Sequence, residues 1–170
     1  MTARQSPAPL LAGVLALALG GCGEASTTTF ETEDGSGEYA IDDVTGEASM
    51  TISTPEGGAT MQSGATVEPD LPDGWSVYPG AVVEDVINVG GTDGRLVVLT
   101  MRIDAEMEAI LDHYRGEAET TGHAIQTELT TKESRVIQGE SEEGGAFSIS
   151  VVPDPEGGPS LVQLTVGQDN

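Results

Sequence analysis

Ala81-Val-Val-Glu-Asp-Val-Ile-Asn-Val-Gly-Gly-Thr-Asp-Gly-Arg-Leu-Val-Val-Leu-Thr-Met-Arg-Ile103 sets the fold class of this chain. Two runs rich in Val, Ile and Leu flank Gly90-Gly-Thr-Asp-Gly94. β-Branched residues suit a pleated, half-buried surface, and an Asp-Gly pair suits the tight turn of a hairpin. The spacing predicts strands over 81–89 and 95–103. In the second run Val97, Leu99, Met101 and Ile103 share one face, with Leu96, Val98, Thr100 and Arg102 on the other. A strand apolar on nearly both faces belongs in the middle of a covered sheet.

Downstream of this hairpin the period changes from two to helical. Asp104 is placed to cap a helix, and Glu106 and Glu108 fall in its first turn, where acids complement the positive end of the helix dipole. Met107, Ile110, Leu111, Tyr114 and Ala118 recur on one stripe, and Gly122 ends it. Four alternating segments follow, over 123–130, 134–140, 146–152 and 160–166. Their short links favour antiparallel neighbours. The expected class is α+β: an antiparallel sheet with one amphipathic helix on one face, in the order β-β-α-β-β-β-β.

Upstream, Trp75-Ser-Val-Tyr78-Pro-Gly-Ala81 holds the only tryptophan. Trp75 and Tyr78 are expected to plug one end of the core; the alternative is a pair of ligand-contacting aromatics. Glu68-Pro-Asp-Leu-Pro-Asp-Gly74 interrupts regular structure. Residues 38–67 contain weak alternating runs around Tyr39–Ile41, Ala48–Ile52 and Ala59–Met61, which read as weak strands that either pair as a small ribbon or add to the main sheet. Residues 22–37 hold Phe30 as their one large apolar side chain among Thr, Glu, Asp, Ser and Gly, and read as a flexible acidic tether. The chain thus divides into 1–21, a tether over 22–37, a weak ribbon and Pro-rich boundary over 38–74, and a main domain over 75–170.

The first segment specifies an address. Leu10 to Leu19 is apolar apart from glycine, and Arg4 is the one charge before it. About 20 apolar residues are needed to span a bilayer as a helix, so this shorter run reads as a secretory signal peptide. Leu19-Gly20-Gly21-Cys22 resembles the lipobox of bacterial lipoproteins. The resemblance implies that Leu19, Gly20 and Gly21 are read by the signal peptidase, and that the Cys22 thiol carries a diacylglyceryl group. Cys22 would then begin the mature chain. Each buried CH₂ is worth roughly 0.8 kcal/mol, so two acyl chains hold a protein stably on a membrane. Gly23, where an Asp tends to retain such proteins on the inner membrane, implies the periplasmic face of the outer membrane in a Gram-negative envelope. Tyr78-Pro-Gly-Ala81 resembles the opening of a small domain in envelope lipoproteins, and implies no activity. Cys22 is the sole cysteine, so the folded part has no internal disulfide.

Charge and chemistry narrow the function classes. Twenty-nine acids face six bases, for a formal net charge of −23. Such a chain repels nucleic-acid phosphates and anionic headgroups, which excludes nucleic acid as a partner. Scattered acids also keep an exported protein soluble. No Gly-x-Ser-x-Gly elbow is present. His113, between Asp112 and Tyr114, is expected to face solvent, and His123 follows the helix end; neither carries a metal-ligand motif. Glu31-Thr-Glu-Asp-Gly35 and Asp42-Asp43 are the densest acid clusters, but neither matches a calcium loop. No cofactor, metal or catalytic residue is expected. The resulting reading is a non-enzymatic envelope lipoprotein, bound to the membrane through the lipid on Cys22 and to an envelope protein or peptidoglycan. The alternatives are an anchored hydrolase using paired carboxylates and a calcium-dependent adhesion or assembly protein.

Overall fold

The computed structural model describes residues 26–32 and 34–169. In chain order these form β1 (Ser26–Thr32), β2 (Gly35–Ile41), β3 (Ala48–Thr54), β4 (Gly57–Gly64), β5 (Val82–Gly91), β6 (Gly94–Ile103), α1 (Met107–Thr120), β7 (His123–Thr130), β8 (Arg135–Ser141), β9 (Gly145–Val152) and β10 (Ser160–Asp169). The strands make one sheet in the order β1-β2-β3-β4-β5-β6-β10-β9-β8-β7, and every neighbouring pair is antiparallel.

Two expectations are overturned here. The α+β class gives way to a mostly β fold, with ten strands against one 14-residue helix. The flexible tether gives way, from Ser26 on, to β1 and the start of β2, and the weak strands of 38–67 take the second of their two readings: β1–β4 form a meander that continues the main sheet through β4 on β5. The physical reason is templating. β5 offers an open edge of backbone donors and acceptors, and each added strand satisfies one edge and exposes the next. Thr-rich segments too poor in large apolar residues to fold alone are β-competent once an edge is supplied. The strand β1, STTTFET, is exposed at every position, so backbone pairing rather than burial holds it.

The core lies on one face of the β5–β10 half. β6 presents Val97, Leu99, Met101 and Ile103 to it, each at most 1 % exposed. β10 runs beside β6 and pairs Leu164 with Leu99 and Val162 with Met101. Ile149 and Val151 of β9 and Ile137 of β8 extend the layer. α1 covers it with Ile110, Leu111, Tyr114 and Ala118, the buried stripe of a 3.6-residue period. Residues 67–81 wrap the remainder, with Trp75 buried and Val67, Leu71, Val77 and Tyr78 packed against the cluster. α1 starts later than its acids suggest. Glu106 occupies the cap position with extended backbone and no side-chain bond, so Asp104 does not cap it. At the other end the Thr121 and Gly122 amides donate to the Glu117 and Glu119 carbonyls, and Gly122 takes the positive φ of 76° that such a terminus requires.

Candidate functional site

Trp75 forms the floor of one recess. Its ring meets Phe147 at 5.1 Å and stands edge-on to His123 at 5.4 Å. Gly139 makes room for Phe147, because a Cβ there would lie 2.6 Å from the ring. The recess, about 320 Å³, is bordered by Asp73, Thr121, His123, Ser141 and Glu143. His123 reaches it from the first position of β7. Its Nδ1 lies 2.9 Å from Thr121 Oγ1, while the Thr121 hydroxyl donates its single proton back to the helix carbonyl of Glu117 at 2.8 Å. The His123 Nε2 is buried and without a hydrogen-bond partner. Burial pushes the imidazole below its ordinary value, so the neutral ring is the resident form. Ser141 Oγ accepts from the Gly145 amide at 2.9 Å and makes no bond to Nε2. A nucleophile and base must share a hydrogen bond to act together, and this pair does not.

A second cluster sits along α1. Tyr78 stands edge-on to His113 at 5.0 Å and lies 6.4 Å from Tyr114. His113, expected to face solvent, is half-buried there instead. Its Nε2 lies 3.3 Å from Glu117 Oε1 but forms no hydrogen bond with it. Glu117 is engaged by the Ser76 hydroxyl and, at 3.3 Å, the Ser76 amide. This clasp fastens the wrap to the helix. Tyr114 is fully buried, and its hydroxyl donates weakly to the Ser76 carbonyl at 3.4 Å. Burial, then the Glu117 charge, push its ionisation far above the ordinary tyrosine value. Trp75 and Tyr78 thus both pack on the core cluster, and Trp75 also borders the recess.

The acids have structural partners. Asp42 Oδ1 accepts from the amides of Val44 and Thr45 at 2.8 and 2.9 Å, and these bonds hold its carboxyl below the usual range. Arg115 joins Glu108 at 3.0 Å, Asp112 at 2.8 Å and Glu128 at 2.7 Å, tying α1 to β7. Arg135 also engages Glu108, whose carboxyl Arg115 and Arg135 hold low. Among the described residues no three His, Cys, Asp or Glu side chains are grouped to hold a metal ion.

One surface had no counterpart in the sequence reading. In-register partners across antiparallel strands share a face. Tyr39 pairs with Met50, Met50 with Met61, Met61 with Val89, and Val89 with Leu96. This row lies on the face opposite α1, since Leu96 alternates with the buried Val97. Its signal was present as alternation around Tyr39, Met50 and Met61, but which side those residues share follows only from the register.

Leu19, Gly20, Gly21 and Cys22 lie outside the described residues. No described helix is long and apolar enough to cross a membrane. No family model, curated protein or solved structure matches the chain.

Proposed function

We propose that this chain is a lipid-anchored protein of the bacterial envelope, a non-enzymatic binding or accessory module held at the membrane by Cys22. The observation that carries the reading is the position of the sole cysteine. It closes Leu19-Gly-Gly-Cys22 after a short apolar run, and β1 begins only four positions later, at Ser26. Four extended residues reach about 14 Å. The first strand therefore starts within that distance of the acylated residue, and the sheet itself, rather than a long tether, stands next to the bilayer. Gly23 after the cysteine favours the periplasmic face of the outer membrane where the envelope has one. The neutral His123, and His113 beside Glu117 and Tyr78, act in this reading as packing groups. The partner is an envelope protein or peptidoglycan.

Fractionation of cells producing the wild type and Cys22→Ser tests the anchor. The wild type is expected in the membrane pellet, resistant to high salt and released by detergent. The variant is expected to leave that pellet. Equal, salt-resistant membrane retention of both would overturn the reading.

A further inference from the structure

We propose that the face of β1–β6 turned away from α1 pairs with the same face of a second copy of this chain. The first observation is charge segregation. Among the described residues 26–64, Glu31 and Glu38 alternate onto the opposite face, beside Phe30 and Tyr39 in sequence, and Asp34, Asp42, Asp43, Glu47 and Glu56 stand in the links between strands. The face that holds Tyr39, Met50 and Met61 carries no charge in β1–β4. On β5 and β6 the same face carries Asp85 and Arg102 only beyond the rows that β1–β4 share, and a chain with 29 acids has no solvation reason to keep the rest neutral.

The second observation is that the face is apolar and uncovered. Phe30, Tyr39 and Leu96 are 41 %, 37 % and 40 % exposed, and α1 and the 67–81 wrap pack on the core cluster across the sheet. Strands about 4.8 Å apart make six of them roughly 29 Å wide, and four side-chain rows run about 25 Å along each. The footprint of roughly 700 Å² approaches the ~800 Å² that each partner contributes to a standard stable interface.

The third observation is relief. The row Tyr39, Met50, Met61, Val89 and Leu96 forms a ridge. In the next row Ala59 faces Gly91, which leaves a gap beside Met61 and Val89, while Ile52 and the Phe30 ring, lying over Gly37, fill that row toward β1. A two-fold interface needs one patch that complements itself. The ridge has such a gap beside its Met61–Val89 part, and the ridge of one copy seats in the gap of the other at the ~10 Å spacing of packed sheets.

The inference does not rest on lipidation, and its test separates the two. The full-length protein is produced in its membranes as Met50→Cys, Met61→Cys or Ala59→Cys on the open face, and as Thr51→Cys or Thr60→Cys on the other. Membranes are treated with a short bis-maleimide, and a monofunctional maleimide reports thiol access in parallel. At least about tenfold more covalent dimer is expected from the open-face variants than from Thr51→Cys and Thr60→Cys, as a defined interface requires. No dimer from the three open-face variants, despite labelling by the monofunctional reagent, overturns the proposal; so does equal dimer from both faces. Protection of the open-face thiols from both reagents without dimer also overturns it, since another occupant then covers the face. A dimer of the wild type, whose one thiol is Cys22, would count against the lipid anchor and leave the face comparison intact.

Discussion

Leu99 faces Val86 of β5 and Leu164 of β10, and all three have no exposed surface. Leu99→Ala removes three carbon atoms where no water can enter and the neighbours collapse only in part. The expected cost is about 2–5 kcal/mol, read by urea unfolding. Val44→Ala, at an 81 % exposed position, is expected to change stability by less than about 0.5 kcal/mol. His123 supplies a pH dependence with a definite sign. Its folded-state value lies below the ordinary 6.5 because burial opposes the charged ring. The unfolded chain therefore takes up this proton first. The stability the neutral ring contributes is present above about pH 6.5 and is lost as pH falls through the folded value. Melting temperatures at about pH 7.5 and 5.5 should fall more steeply in the wild type than in His123→Gln, which has no imidazole to protonate. Equal slopes would show that the ring does not titrate differently on folding.

Among the elements, α1 carries an avoidable cost. Gly116 lies mid-helix, exposed, and a Cβ added there meets nothing within 4 Å. Gly116→Ala is expected to stabilise the protein by roughly 0.5–1 kcal/mol, because alanine loses less backbone freedom on folding. A loss of stability in thermal or urea unfolding would contradict that. The helix was legible because Ile110, Leu111, Tyr114 and Ala118 repeat with a period that strands cannot produce. The 81–103 hairpin was legible because its turn and both runs are local. The cap at Glu106 was not, since neither it nor Asp104 forms a diagnostic side-chain bond to the helix start. β1 was misread, and the place of β2–β4 left open, for a different reason. Their stability comes from pairing onto β5, a long-range relation, while their composition resembles that of a tether. The recess beside Trp75 was equally hidden. It joins Asp73, His123, Ser141 and Gln168, which share no local pattern.

At the level of the molecule, one sheet performs two jobs. Its β5–β10 half carries a core under α1, and its β1–β4 half is a single layer with polar residues on one side and a neutral apolar ridge on the other. Under the proposed anchoring at Cys22, β1 and the open face it borders would stand close to the membrane. Mass spectrometry of the N-terminal peptide from purified membranes tests the anchor itself. The proposal requires a peptide that begins at Cys22 and carries a diacylglyceryl group on sulfur. A peptide that begins elsewhere, or one that contains Cys22 with a free thiol, would contradict it and leave the sheet without its membrane attachment.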